Sequence, residues 1–341
     1  MNTTTYGLDI AKTVFQLYWV EPSGKCFNRR FSRPKLIEFL ATREPGRIAL
    51  EACGSAHWWA RQLQAMGHEP VLIHAGYVRP FVQTNKTDAA DAKAIWTAAQ
   101  QPGMRTVAPK TEAQQCVQAL HTLRSLRVKM RTMFVNQLRG LLSEFGIHFR
   151  RGRQAGLHEI VQHLPDIEQS VPPMLFDGVR EQLQSLERLD QEIAQLERRL
   201  DAWSRQDRAC QTIAAIPGIG MLTATALVAA IGDARTFKSG RQLAAFLGLV
   251  PRQSGTGGKV RLGGISKRGD SYLRTLLIHG ARVVLCHQRR KNQPGWSQTL
   301  AQRRPTNVVA VAMANKTART IWALLAHDRI YDRDYVSVRP A

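Results

Sequence analysis

Two aspartates, Asp88 and Asp91, stand three residues apart in the alanine-rich segment 85–93, which begins a predicted helix. At this spacing both carboxylates lie on one face of the helix. Two like charges side by side favour a bound cation, and hard oxygen ligands suit magnesium. The alternative is a helix N-terminus whose dipole attracts acids. The pair alone fits both interpretations.

Two more acids lie at the ends of predicted strands. Asp9 is late in the first strand, and Glu51 closes the fourth. Singly, Asp9 also suits a residue that caps a turn, and Glu51 suits a solvated strand end. Jointly with Asp88 and Asp91, they predict a site for two Mg²⁺ ions, with Mn²⁺ as an alternative. Such a site activates a nucleophile and stabilises a leaving oxygen at phosphorus.

The elements that would position these acids follow a definite order. The predicted strands span residues 3–10, 14–20, 26–31, 47–52 and 69–74, and the predicted helices span 34–42, 57–66 and 88–100. Tight connections make the first three strands an antiparallel meander. A meander followed by α/β crossovers is the arrangement of the ribonuclease H-like fold. In such a sheet the first and fourth strands are neighbours, so the four acids would meet at one edge.

The composition favours a polyanion as partner. The 341 residues include 48 Lys and Arg against 26 Asp and Glu, a net charge of +22, and binding phosphates releases counterions. The five cysteines are scattered without a C-x-x-C pair, which argues against a disulfide framework or a zinc cluster. Neither a signal peptide nor an apolar run of membrane-spanning length is evident. We expect a cytoplasmic, nucleoid-associated bacterial protein that does not bind a membrane.

The basic surface lies mostly outside the first hundred residues, which carry a net charge of +4, whereas residues 101–341 carry +18. A long amphipathic helix is predicted over residues 112–145. The stretch 124–153 has eight basic residues and one acid, so we expect it to contact nucleic acid, with a solvated helix face as the alternative. The candidate contacts are Arg124, Arg127, Lys129, Arg131, Arg150 and Arg151.

A second apolar repeat runs over residues 176–203, in steps of three and four, with one slip between Leu186 and Leu189. This pattern resembles two coiled-coil segments joined by a stammer. Its seam packs either on the 112–145 helix of the same chain or on another subunit. Both arrangements suit a dimerising arm.

The segment 216–220, IPGIG, lies between two predicted helices and looks like the hairpin of a helix-hairpin-helix unit. Gly218 and Gly220 would let backbone amides approach a phosphate closely. The alternative is a plain tight connection between helices.

Residues 250–269 are rich in glycine and basic side chains, and we expect an irregular, functional loop. Its hydroxyl residues are Ser254, Thr256 and Ser266. Residues 259–304 hold eleven Lys or Arg and a single acid, so a polyanion is expected close by. Basic clusters at 289–291 and 303–304 flank a loop containing Trp296, which we expect to be a phosphate clamp, with a solvated turn as the alternative. The further candidate contacts are Arg252, Lys259, Arg261, Lys267 and Arg268.

The motifs GLDIAK, LEACG and NKTDAADAKAI, which hold the four acids, resemble the three acidic motifs of the DEDD transposases of bacterial insertion sequences. The similarity continues through the C-terminal part. It implies a RuvC-like catalytic domain over 1–108, an arm with the basic helix and coiled coil over 109–207, and a C-terminal transposase domain over 208–328. Residues 329–341 are expected to form a tail.

The resemblance also implies chemistry and partners. In this family a loop serine attacks DNA and forms a phosphoserine link, and Ser254 is the best candidate here, with Thr256 as its rival and a hydrogen-bonding turn residue as the plain alternative. The family implies a site-specific recombinase with a guide RNA and a homo-oligomer, from dimer to tetramer. Two other functions stay open: a hydrolytic Holliday-junction-type endonuclease, and a catalytically silent nucleic-acid-binding scaffold.

Overall fold

The computed structural model of the chain describes residues 4–83, 85, 87–150, 152–291, 295–333 and 335, without the side chains of residues 153 and 154. The chain divides into two compact units, Met1–Thr111 and Glu112–Ala341, and each is described by itself. The first predicted boundary, after residue 108, falls close to this division. The boundaries predicted after residues 207 and 328 fall inside the second unit and stay predictions.

The first unit is built on one sheet, with the strand order β3-β2-β1-β4-β5-β6. The strands are Thr5–Ile10 (β1), Val14–Val20 (β2), Cys26–Ser32 (β3), Arg47–Glu51 (β4), Glu69–Ile73 (β5) and Thr106–Val107 (β6). The helices are Arg33–Ala41 (α1), Ala56–Ala65 (α2), Ala75–Val78 (α3) and Asp88–Ala99 (α4), with a 3-10 turn at Arg79–Phe81.

The pairing of these strands confirms the predicted meander and crossovers. Strand β2 pairs antiparallel with β1 and with β3, and β4 pairs parallel with β1 and with β5. The short β6, which was not predicted, pairs antiparallel with β5. This mixed α/β architecture is compatible with a ribonuclease H-like domain.

The two faces of the sheet are covered by different helices, because successive side chains of a strand point to opposite faces. On one face, Leu8 and Leu50 pack with Leu36 of α1 and Trp59 of α2. On the other face, buried residues of β4 and β5 pack with Ile95 of α4 and its neighbours. Helix α4, which carries two of the four acids, therefore lies opposite α1 and α2.

The second unit is mainly helical. Its helices are Glu112–Glu144 (α5), Arg153–Gln162 (α6), Leu164–Ser170 (α7), Pro173–Gln206 (α8), Arg208–Ala214 (α9), Met221–Ile231 (α10), Gly240–Phe246 (α11), Ser271–Arg290 (α12), Trp296–Ala301 (α13) and Thr306–Ala326 (α14). A 3-10 turn lies at Ala234–Thr236, and the strands Pro251–Thr256 (β7) and Lys259–Ile265 (β8) form a separate two-stranded sheet. Helices α9 to α12 and α14 enclose a common core that includes Leu227, Leu277 and Ile321.

The long helices α5 and α8 pack against each other within the chain. Apolar residues of α5, such as Leu138, share a buried cluster with Phe176 and Leu186 of α8. Helix α8 continues without interruption through the predicted slip, and the two leucines on either side of the slip, Leu186 and Leu189, are both buried. The predicted seam thus finds its partner in the same chain.

Two predictions about irregular segments are corrected. Residues 251–265, expected to be an irregular loop, form an antiparallel hairpin, which turns at Gly257 and Gly258, where φ is 56° and 79°. Glycine adopts such positive φ values without steric cost. Trp296, expected in a loop, begins α13. None of the described helices is long and apolar enough to cross a membrane.

Candidate active site

The four acids meet at one edge of the first unit's sheet. Leu8 of β1 pairs with Leu50 of the parallel strand β4, so the residues that follow, Asp9 and Glu51, lie side by side where both strands end. Helix α4 begins at Asp88, with Asp91 also in its first turn. The predicted convergence depends on how closely α4 approaches β1.

Gly7 allows that close approach. A Cβ atom at this position would lie 2.3 Å from the carbonyl oxygen of Ala92 and 2.6 Å from the backbone nitrogen of Trp96, both in α4. The indole Nε1 of Trp96 donates a hydrogen bond of 3.0 Å to the carbonyl oxygen of Thr5. Helix α4 therefore lies directly on β1, and its first turn is next to Asp9.

Two amides on neighbouring strands hold the start of α4. The side chain of Gln16 on β2 donates from Nε2 to Oδ1 of Asn28 on β3, at 2.5 Å. Asn28 in turn donates from Nδ2 to the carbonyl oxygen of Ala89, at 2.9 Å. The Oγ1 of Thr87 caps the helix by accepting from the backbone N–H of Ala90. Gln16 and Asn28 thus position the turn that carries Asp88 and Asp91.

The electrostatics of Asp9 reflect this crowding. Burial raises the pKa of Asp9 to about 6, and the charges of Asp91, Asp88 and Glu51 raise it further in that order. Burial and the charges of Glu51 and Asp9 also raise the pKa of the nearby Cys53 thiol. The acids lie close enough to repel one another, as a site for a cation requires.

The chemistry of these donors fits a divalent cation, although the side chains do not form a ready ligand shell. In the part of the chain that the structure describes, no group of three or more His, Cys, Asp or Glu side chains is arranged to hold a metal ion. Four carboxylates supply the hard oxygens that Mg²⁺ takes. A bound cation would also offset the repulsion that raises the pKa of Asp9.

Within the second unit, Ser254 lies on β7 of the exposed hairpin. It pairs with Arg261 of β8, and Thr256 pairs with Lys259. Because residues two apart on a strand share a face, the two hydroxyls and the two cations project from one face. A Cβ atom at Gly255 would lie 2.7 Å from the carbonyl oxygen of Lys259, which explains a glycine between the two hydroxyl residues.

The remaining cations predicted near the hairpin are also at the surface. Arg252, Lys267 and Arg268 are exposed, as are Lys259 and Arg261. Lys267 has φ of 54°, an uncommon value for a residue with a side chain. The exposure of this cluster is compatible with a nucleic-acid contact.

The cations predicted on α5 fall into two groups. Arg124, Arg127 and Arg131 form ion pairs with Glu197, Glu192 and Asp190 of α8, respectively. Lys129 is exposed, and no ion pair or hydrogen bond to its side chain is found among the described residues. Arg150 is also exposed, whereas Arg151 lies outside the described residues. The three paired arginines hold α5 to α8, which the sequence pattern did not indicate.

The two glycines of segment 216–220 have different surroundings. Gly218 has φ of 89°, and a Cβ atom there would lie 2.8 Å from the carbonyl oxygen of Gly280 on α12. Gly220 precedes α10 and is exposed, with open space where a Cβ would be. Close helix packing therefore accounts for Gly218, and only Gly220 has room for an approaching ligand.

Comparisons with known proteins place the chain in a family. Residues 6–147 match a DEDD transposase family, and residues 210–294 match the "Transposase IS116/IS110/IS902 family". The chain is 48% identical over 335 residues to the "Probable family 20 transposase" of Pseudomonas aeruginosa, covering 97% of this chain and 99% of that protein. It is 42% identical over 328 residues to the "Transposase for insertion sequence element IS1111A" of Coxiella burnetii, covering 95% and 90%.

A more distant relative, the "Pilin gene-inverting protein" of Moraxella bovis, is 25% identical over 356 residues and covers 98% of this chain and 99% of its own. The fold and the matched segments show that the chain is a transposase of the DEDD type. The chain belongs to the IS110 family of insertion-sequence transposases. The resemblance found in the three acidic motifs is thereby confirmed.

Proposed function

We propose that the chain is a site-specific DNA recombinase that cleaves and rejoins strands at the ends of an insertion sequence. The observation that carries this proposal is the convergence of Glu51, Asp88 and Asp91 on Asp9, whose pKa is raised to about 6 by burial and, next, by the charges of these three acids. A cluster of acids at one edge of the sheet, in a chain whose net charge is +22, suits a cation site that acts on a polyanion.

In this proposal the four carboxylates of the RuvC-like site would hold two Mg²⁺ ions. When bound, the ions supply charge stabilisation for the attacking and leaving oxygens at phosphorus. The Oγ of Ser254 forms a bond to phosphorus as the bond to one strand end breaks, and the departing oxygen leaves as a hydroxyl group. The hydroxyl of another strand end then attacks this phosphorus, which breaks its bond to the Oγ of Ser254 and rejoins the DNA.

The hairpin geometry supports a serine nucleophile, because Ser254 shares its face with Arg261 and Lys259. Cations beside a hydroxyl attract the phosphodiester and stabilise charge on its oxygens. Thr256, on the same face, remains the rival. Rejoining rather than hydrolysis is favoured by the relative named for gene inversion, since an inverted segment must be ligated again.

The test is a covalent adduct between the protein and end-labelled element DNA, detected on a denaturing gel. We expect the adduct with the wild-type chain and with Thr256→Val, and its loss with Ser254→Ala. An adduct lost only with Thr256→Val would move the nucleophile to Thr256. Cleaved DNA without any adduct would instead indicate hydrolysis and overturn the serine mechanism.

We further propose that the chain assembles with copies of itself through α5. Leu123, Leu126, Met130 and Met133 are exposed and follow steps of three, four and three residues, with Leu126 54% and Met133 58% exposed. These are the steps of a coiled-coil seam, and they lie outside the buried face that α8 covers. A second copy of the same helix offers a matching seam, which supports a dimerising arm, and the tetramer is suggested by the family resemblance alone.

Light scattering on the full chain tests this assembly. Combining Leu126→Glu with Met133→Glu should lower the molecular mass in solution to that of the monomer. Val161→Glu, at a position on α6 that is 56% exposed, is the control and should leave the mass unchanged. An unaltered mass in the double variant would exclude the α5 seam.

Nucleic acid, including a guide RNA, is the proposed partner of the basic surfaces. The family resemblance suggests the RNA, and the exposed cations of the hairpin together with Lys129 and Arg150 support contact with a backbone.

For the proposed helix-hairpin-helix, Gly220→Ala should weaken DNA binding without loss of stability, because the added Cβ meets open space. Gly218→Ala should destabilise the fold, because its Cβ meets the Gly280 carbonyl oxygen. Unchanged DNA binding by Gly220→Ala would exclude a contact there.

A further inference from the structure

Asp9, Gln16 and Arg30 form one row across three strands of the first unit's sheet. Asp9 on β1 pairs with Gln16 on β2, and Gln16 pairs with Arg30 on β3. Residues directly opposite each other in antiparallel strands project to the same face. The guanidinium of Arg30 therefore lies on the face that carries the acids, in the same row as Asp9.

Neighbouring residues of β3 confirm which face this is. Asn28, two residues before Arg30, donates its hydrogen bond to Ala89 of α4 and thus faces that helix. Phe27 stacks on Trp19 on the opposite face, with ring centroids 4.9 Å apart. Arg29 projects to this opposite face too, and its guanidinium lies over the Phe27 ring. The adjacent arginines, 29 and 30, thus point away from each other.

Arg30 is available to a ligand. It is exposed and lies on β3, which is an edge strand of the sheet. Among the described residues no ion pair, hydrogen bond or ring contact of its side chain is found, whereas Arg29 lies over the rings of Phe27 and Trp19. With neighbouring strands about 4.8 Å apart, the backbone of Arg30 is roughly 10 Å from that of Asp9.

We propose that Arg30 binds a backbone phosphate that neighbours the reacting phosphodiester. The inference rests on the proposed function, in which the four acids act on a DNA strand. A strand that crosses the acidic cluster meets repulsion, and a cation in the same row offsets it while fixing the position of the strand. Arginine suits this role because its planar guanidinium donates two parallel hydrogen bonds to phosphate oxygens. The contact reads the backbone and not the bases.

A different role for a charged residue on an edge strand is to prevent pairing with another chain. That role requires no phosphate contact, so the two explanations predict different results with modified DNA. Neutral methylphosphonate linkages, placed one at a time near the cleavage site, identify each phosphate that a cation contacts.

The experiment measures single-turnover cleavage by the full chain, with RNA transcribed from the flanking DNA of the element. For the wild-type chain, a neutral linkage within about three nucleotides of the cleavage site should slow cleavage about tenfold, the scale of losing one hydrogen bond to a charged group. For Arg30→Ala the unmodified DNA should be slowed to a similar extent, and that neutral linkage should have no further effect. Arg30→Lys should restore part of the sensitivity, and Arg29→Ala, the matched control, should retain all of it.

Equal sensitivity of Arg30→Ala and the wild-type chain to every neutral linkage would overturn the inference and leave the proposed function intact. Failure of the proposed function appears separately, as wild-type cleavage that persists in Asp9→Asn. Circular dichroism spectra of Arg30→Ala and Arg29→Ala should match the wild-type spectrum, so that a loss of cleavage reports contact and not misfolding.

Discussion

Gly7 and Ala92 touch through their backbones, since a Cβ on Gly7 would lie 2.3 Å from the Ala92 carbonyl oxygen. This contact joins the strand that carries Asp9 to the helix that carries Asp88 and Asp91. It leaves no room for any other residue at position 7, because the obstructing atom belongs to backbone and cannot rotate away.

Gly7→Ala should therefore displace α4 from β1. We expect a loss of about 1–3 kcal/mol in the free energy of unfolding of the first unit, as for other overpacked interiors, and a large loss of DNA cleavage. Urea denaturation and a cleavage assay measure the two effects. Gly140→Ala, where a Cβ meets open space on α5, is the control. Wild-type stability and activity in Gly7→Ala would contradict the close approach.

The repulsion at Asp9 predicts an unusual stability effect. Because burial and the neighbouring acids raise its pKa to about 6, the ionised carboxylate is unfavourable in the folded chain at neutral pH. With screening by solvent taken into account, Asp9→Asn should stabilise the metal-free protein by about 1–2 kcal/mol. Thermal unfolding in EDTA measures this gain. Added Mg²⁺ should raise the melting temperature of the wild-type chain and have less effect on Asp9→Asn.

Asp177→Asn, which removes an exposed carboxylate of α8, serves as the control for lost charge. It should melt like the wild-type chain and respond to Mg²⁺ to the same degree. If Asp9→Asn melts at or below the wild-type temperature in EDTA, the four acids do not repel one another as inferred.

His121 predicts a pH dependence for the second unit. Its Nδ1 lies 3.0 Å from the hydroxyl of Tyr272, and its Nε2 lies 2.9 Å from Oγ1 of Thr225. Burial, with a contribution from the charge of Arg124, lowers the pKa of His121 to about 4. The neutral imidazole stabilises the fold fully above pH 6.5, the ordinary pKa, and this stability is lost as the pH falls from 6.5 towards 4.

The loss should be about 2–4 kcal/mol over that range. Urea denaturation at pH 7.5 and pH 5 measures it, and His121→Gln should show a weaker pH dependence than the wild-type chain. His158→Gln, at an exposed position of α6, should keep the wild-type dependence. Parallel pH profiles for His121→Gln and the wild-type chain would exclude His121 as the responsible group.

The cations of α5 should separate into structural and nucleic-acid-binding groups. Lys129→Ala should weaken DNA binding and reduce the slope of log affinity against log salt by about one, as for a lost phosphate contact. Arg131→Ala should change that slope little and should destabilise the fold, because it removes the ion pair with Asp190. Fluorescence anisotropy across a salt series measures the slopes. Equal slopes for Lys129→Ala and the wild-type chain would remove Lys129 from the interface.

Much of the first unit could be predicted from the sequence, because its strands are short, largely apolar runs separated by turn residues and helices. The neighbouring placement of β1 and β4 then followed from the order of elements. The two-residue strand Thr106–Val107 has no such pattern, and the hairpin Pro251–Ile265 is exposed nearly throughout. An exposed strand lacks the apolar run that marks a buried one, and the Gly257 and Gly258 pair is the feature that could have indicated the turn.

The four acids could be proposed as a site because their residue types and their positions in the predicted elements can be seen in the sequence alone. The residues that position them could not, since Gln16, Asn28 and Ala89 meet only once the strand register is known. Arg30 likewise joins the row of Asp9 through two successive strand pairings. The in-chain partners of Arg124 and Arg127 were hidden for the same reason, because they lie more than sixty residues away.

The most direct test of the four-acid site is excision of the complete element, with its natural flanking DNA, from a plasmid in cells. Asp9→Asn and Asp88→Asn should each lower the excision frequency about 100- to 1,000-fold, the scale of losing one electrostatic group at a reacting centre, with the protein present at wild-type levels. Asp177→Asn should excise normally. Excision at the wild-type frequency by both Asp9→Asn and Asp88→Asn would contradict a catalytic role for the four acids.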